Sequence, residues 1–221
     1  RPTLGARYIA ARAAWRLQDW GAVQLEMAKV RDHARDEGET VIAAMALTAL
    51  GEALVKREGD AVGARALVDE ALGLLAREDD PVAHFDALNA RAMVGSWMGS
   101  TEDFVRYMER AYAVALDARR KDLQTIAAQE LAKAHLVALE LDEAELLITR
   151  ALELAGESGS VRARMSATLS YGWFLRLKGE LDAAETVLEE VRATAEELGL
   201  EPTIAGALLK RGDLVLFDRN N

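Results

Sequence analysis

Apolar residues recur along this chain at helical spacing, and the stripe they form is interrupted at regular distances. Five residues after a turn position at Gly59, Gly99, Leu139 or Gly179 stands Ala64, Phe104, Ala144 or Ala184. Four further on comes Val68, Met108, Ile148 or Leu188, and three beyond those Ala71, Ala111, Ala151 or Val191. The turns are 40 residues apart, and the columns run through four copies without a gap. Offsets of four and three are neighbours on one helical face. Small residues at the ends of the stripe let another helix approach, and the bulky residue between them fills the gap. Such a helix cannot hide its stripe alone, so neighbours must stack, and a fixed period of this length marks a repeat array.

A second helix precedes each turn. Its small residue seven before the turn, Ala92, Ala132 or Gly172, again permits close packing. The second copy has Glu52 there with Gly51 beside it, and a one-residue slip would restore the pattern. Each unit is therefore a helical hairpin. The spacing predicts helices over about 5–18 and 21–36, 40–57 and 61–77, 82–97 and 101–118, 121–138 and 142–156, 160–177 and 181–198, with a last one over about 202–216. Strong helix formers dominate, only Pro2, Pro81 and Pro202 interrupt them, and no strand-like alternation occurs. The expected architecture is all-α. It is a single domain over 1–221 with repeats at about 1–39, 40–80, 81–120, 121–159 and 160–200, then a terminal helix over 201–221. The runner-up fold is a non-repeat helical bundle of similar size.

These columns resemble the tetratricopeptide repeat (TPR). Its pattern carries Leu-Gly in helix A, a Gly turn, then Ala, a large apolar residue and Ala in helix B. The stretches YGWFLRLKGELDAAETVL (171–188) and LAKAHLVALELDEAELLI (131–148) match best. The copy at 50–72 matches with one extra residue before the turn, that at 91–111 is degenerate, and the first, at 13–30, is weaker still. The period is 40 against the family's usual 34, and the proline that ends helix B is missing from every copy. Both features are similar to the long repeats of sensor domains in large bacterial regulators of the MalT-like type. The resemblance implies a right-handed superhelical solenoid of antiparallel helix pairs, with helix A lining a concave groove.

Charge and composition narrow the function. The formal net charge is −10, with basic residues scattered among more numerous acids, which argues against direct nucleic-acid binding. There are no cysteines, hence no disulfide, thiolate metal site or thiol nucleophile. That fits a reducing, cytoplasmic setting. No apolar run reaches the roughly 18 residues a membrane span needs. The chain begins at Arg1 without a Met, which suggests a fragment of a larger protein or a processed one.

No catalytic, cofactor or metal site is legible. His33, His84 and His135 fall at different places in their repeats and read as structural. Adjacent acidic pairs such as Asp79/Asp80 do not face each other on a helix. Ser100 and Thr101 before Glu102 and Asp103 read as a helix N-cap. The resemblance places Asn89, Met93, Trp97, Gln129, Lys133, Trp173 and Arg176 on the concave face, with Arg7 extending it from the first repeat. Trp97 and Trp173 read first as inter-helix packing and second as groove anchors. The expected function is a non-enzymatic module that binds a protein or peptide, as the sensory or assembly part of a larger bacterial regulator. The alternative is a homotypic scaffold, self-associating through apolar residues of the C-terminal segment (Leu208, Leu209, Leu214, Val215 and Leu216).

Overall fold

The computed structural model describes residues 3–218. Arg1, on which a larger parent was inferred, and the last three residues of the expected terminal segment lie outside them. Contacts divide the chain into two units with a boundary between Ala118 and Arg119. Among the described residues of the first unit are α1 (Leu4–Arg16), α2 (Trp20–Glu37), α3 (Thr40–Glu58), α4 (Ala61–Leu75), α5 (Pro81–Trp97) and α6 (Thr101–Asp117). The second holds α7 (Lys121–Ala138), α8 (Leu141–Ser158), α9 (Val161–Lys178), α10 (Leu181–Glu197) and α11 (Glu201–Asp213), closed by a π-helical turn over Leu214–Asp218. Within each unit every helix packs on the next, and first helices also touch each other, α3 on α5, α7 on α9 and α9 on α11.

The helix ends are written in the side chains. Asp19, Asp60, Asp80, Ser100 and Ser160 each accept a hydrogen bond from the backbone N–H three residues on, which satisfies one of the amides a helix start leaves unpaired. The Ser100 cap expected from the sequence is therefore present. At the hairpin turns the chain enters the left-handed region at Gln18, Gly59, Gly99, Leu139 and Gly179, where glycine is the residue without a steric penalty.

The second helix of each pair buries the predicted stripe. Ala64, Val68 and Ala71 in α4, Met108 and Ala111 in α6, Ala144, Ile148 and Ala151 in α8, and Ala184, Leu188 and Val191 in α10 are all buried. Phe104 is buried too, despite its size. The first copy obeys the same rule once its phase is read correctly. In α2 the buried residues are Val23, Met27, Val30 and Ala34, each 41 positions before Ala64, Val68, Ala71 and Leu75.

That phase change has a local origin. The small contact residue of the first helix stands twelve positions before the first buried residue of the second in four copies: Ala11 to Val23, Ala92 to Phe104, Ala132 to Ala144 and Gly172 to Ala184. In the second copy the interval from Gly51 to Ala64 is thirteen. A Cβ on Gly51 would sit 2.7 Å from Val68 Cγ2 and 3.1 Å from the Ala64 carbonyl oxygen, so Gly51 is the close-contact residue. Glu52 is turned out of that contact.

Candidate functional site

The first helices of the first unit, α1, α3 and α5, enclose a cavity of about 170 Å³. Tyr8, Arg12 and Trp15 line it from α1, Met45, Thr48, Ala49 and Glu52 from α3, and Ala83, Asp86 and Asn89 from α5, with Met27 of α2 behind. The spacing explains the convergence. Residues 8, 12 and 15, 45, 48, 49 and 52, and 86 and 89 stand three or four apart on their helices, so each set shares one face. Because Gly51 takes the helix contact, Glu52 next to it falls in this row.

The cavity is polar in a particular way. The Trp15 indole Nε1–H donates to Glu52 Oε2 at 2.8 Å. The Tyr8 hydroxyl lies 3.9 Å from Met45 Sδ. Asn89 Oδ1 is buried without a hydrogen-bond partner, and an acceptor left unmade there costs about 1–3 kcal/mol. Burial pushes the Glu52 carboxyl above its ordinary pKa, against the Trp15 hydrogen bond. Burial raises Asp86 as well, against the nearby Arg12 guanidinium, and it raises the Tyr8 phenol. Arg12 itself is exposed, with its guanidinium 5.5 Å from the Trp15 ring centre.

Of the residues expected on this face, Asn89 enters the cavity. Met93 is half-buried one turn further along α5. Trp97 is 53% exposed at the end of α5, with Lys56 Nζ 5.7 Å above its ring. Arg7 points to a separate open depression that it lines with Thr3, Lys29, Asp32, His33, Asp36 and Glu37. Its neighbour Tyr8 occupies the inward place.

In the second unit the corresponding face is open at the start of α7 and α9, where Asp122, Ile126, Gln129 and Ser166 line a depression, and occupied further along. Gln129 is buried and donates from Nε2 to the Ala163 carbonyl at 2.9 Å, tying α7 to α9. Lys133 pairs with Glu130 at 2.6 Å on its own helix. Lys210 of α11 lays its ammonium 3.8 Å over the Trp173 ring, and Asp213 lies 3.6 Å from Arg176. Burial lowers the Lys210 pKa to about 8, with Lys133 and Arg176 adding repulsion and Asp213 opposing it. Trp173 and Arg176 thus hold the terminal helix. Among the described residues no three His, Cys, Asp or Glu side chains gather as a metal would require, and no helix is long and apolar enough to cross a membrane.

No family model matches the sequence, and no curated protein matches it. Solved structures do match the fold. Aspartyl phosphate phosphatase F from Bacillus subtilis superposes with a TM-score of 0.68 at 12% identity, over 99% of this chain and 61% of that one. The kinesin light chain TPR-like repeats from Podosopora anserina give 0.67 at 16% identity, over 88% and 96% of the two chains. A Signal Transduction ATPase with Numerous Domains (STAND) protein with a tetratricopeptide repeat sensor, from Pyrococcus horikoshii, gives 0.71 at 17%, over 92% of this chain and 32% of that one. The chain has a TPR-like fold. It spans less than two thirds of the phosphatase and about a third of the STAND protein.

The TPR-like register shows which cavity residues the sequence reading passed over. Allowing for the extra residue in the second copy, Tyr8, Thr48, Asn89 and Gln129 form one column and Arg12, Glu52, Met93, Lys133 and Trp173 another. Only the later members of each column were named from sequence, because a rigid 40-residue ruler sets Glu52 beside Ala92 and α1 one residue out of phase. The signal was the Gly51–Glu52 pair itself, which flagged the slip but not its consequence for the inward face.

Proposed function

We propose that this chain is a non-catalytic repeat module that binds a protein or peptide along its row of first helices, with the cavity of the first unit as the anchor point. One observation carries the reading. Asn89 Oδ1 is buried without a partner in a cavity lined by two carboxyls and two aromatic rings. A packed structural core satisfies such an acceptor, whereas a binding site keeps it for its ligand. We take the five repeats as one functional array. It would serve as the sensory or assembly part of a larger bacterial regulator, acting in the cytoplasm. The cysteine-free composition fits that compartment, and the STAND neighbour is described as carrying a TPR sensor. Ligand contacts spanning several first helices would then change how the helix pairs stack and how attached domains associate.

Panning a displayed library of random dodecapeptides against the protein tests this. Ala49→Met and Asn89→Leu each place a bulkier apolar group in the lining of the cavity. Selected peptides should lose about tenfold or more in affinity on both variants, a difference of roughly 1.4 kcal/mol, while both variants stay folded and Asn89→Leu, which removes the unpaired acceptor, unfolds no lower than the parent. Peptides that bind parent and filled variants equally would remove the groove from the account.

A second reading, the homotypic scaffold, is favoured by the apolar face of α11 and the turn after it. Leu208, Leu209 and Leu216 are 50%, 72% and 65% exposed, while Leu214 between them is buried. Light scattering over a concentration series, with Leu209→Glu as the control, decides it. A scaffold shows a concentration-dependent mass that this substitution abolishes.

A further inference from the structure

We propose that the first unit's cavity is a receptor for a single cationic side chain, an arginine or lysine carried by the partner. The inference rests on the peptide-binding reading above and specifies what that site recognises. Three acceptors converge on the cavity from two helices, the Glu52 carboxylate of α3 and the Asp86 carboxylate and Asn89 Oδ1 of α5. The Trp15 N–H is already given to Glu52, and the Asn89 oxygen has no partner. Trp15 and Tyr8 supply aromatic walls, which attract a cation through their ring faces. An ammonium or guanidinium inserted there gains charge-assisted hydrogen bonds to groups that now lack a full set of donors. An anion would meet two carboxylates instead.

Size and the resident charges agree. About 170 Å³ is close to the roughly 150 Å³ that holds one benzene molecule, room for one side chain and not for a folded element. Arg12 is the protein's own cation at the cavity, exposed over the Trp15 ring. It partly neutralises Asp86 and Glu52 from α1, as Lys56 does for Glu52 from the end of α3, while Asp80 at the start of α5 adds negative charge beside Asp86. An incoming cation therefore competes with Arg12 for the same carboxyls. Both carboxyls are held up by burial, and a bound cation would keep them ionised. Binding then releases protons, and affinity climbs with pH through their folded-state range.

The test uses the full chain and blocked pentapeptides with Arg, Lys, Gln or Glu at the centre of a glycine sequence. The readout is the Trp15 indole N–H resonance, assigned with Trp15→Phe. The Arg or Lys peptide should shift that resonance saturably, and the Gln and Glu peptides should not. Glu52→Gln and Asp86→Asn should each weaken binding about tenfold or more, and Arg12→Gln should strengthen it. Saturation by the Glu peptide with loss on Arg12→Gln, or no saturable shift with any of the four, would overturn the proposal. This outcome is separable from failure of the groove itself. If dodecapeptides that depend on the open cavity are recovered but contain no Lys or Arg at a required position, the groove stands and the cation receptor falls.

Discussion

Among the described residues Arg91 is the largest fully buried side chain. Its guanidinium Nε donates to Asp69 Oδ1 at 2.8 Å in α4, its Nη2 reaches Asp103 Oδ2 at 3.4 Å in α6, and it lies 4.5 Å from the Tyr107 ring centre. One side chain of α5 therefore fastens the helices on either side of it. Arg91→Ala removes that volume and takes the buried partner from two carboxylates, which keep Arg65 and Arg106 respectively. Because Asp69 remains 44% exposed and rehydrates, the expected loss is about 2–4 kcal/mol, less than for a fully enclosed pair. Arg91→Met, which keeps the stem, should lose about half as much, and urea unfolding midpoints compare the two. Lys210 is a residue-scale case of opposite sign. Its pKa of about 8 lies below the ordinary lysine value of 10.5, so between those two pH values the unfolded chain binds more protons than the folded one. Stability attributable to this group rises with pH across that window. Lys210→Met should flatten the rise in thermal scans from pH 8 to 10.

At the scale of the helix pair, the turn chemistry decides which substitutions help. Leu139 sits at φ 60° in the left-handed region, at the place where three other hairpins have glycine. A side chain there costs about 1–2 kcal/mol. Its own side chain is 67% exposed and buries little in return, so Leu139→Gly should raise stability by about 1 kcal/mol, measured as a higher unfolding midpoint. Most of this architecture was legible beforehand. The Gly and Leu139 turns, the small-large-small stripe and the helix limits follow from local sterics and period, which a single sequence displays directly. The first copy was less legible. Its turn is made by Gln18 at φ 56°, with no glycine to mark it, and its stripe begins at Val23, one position ahead of where the forty-residue ruler falls.

Across the whole molecule, the net charge of −10 acts at long range where individual contacts do not. A cationic peptide should be drawn in faster than a neutral one of equal length, and the advantage should shrink as salt shortens the screening length toward about 8 Å near physiological ionic strength. Stopped-flow association rates over a salt series check this, and the dissociation rate should change far less. The inward face of the first helices was harder to foresee than the fold, because it depends on tertiary phase. Asn89 was placed from its own repeat alone. Glu52, Asp86, Tyr8 and Arg12 become neighbours only when three helices are laid side by side. The second unit's Trp173 and Arg176 were anticipated as inward-facing, but nothing in their own stretch announced that Lys210 and Asp213, more than thirty residues later, would meet them.

The thirteenth residue between Gly51 and Ala64 carries a last implication. A full turn takes 3.6 residues, so one extra residue would by itself swing α3 about a quarter of a revolution against its partner. The helix absorbs it instead, because Gly51 keeps against Val68 and Ala64 the close contact that Gly172 makes with Leu188. Deleting Arg57 would restore the twelve-residue interval with Gly51 still in that contact and Glu52 still in the inward column. In an array of this kind the inner row can therefore outlast a codon gained or lost in a hairpin, provided a residue without a side chain stands where the two backbones meet.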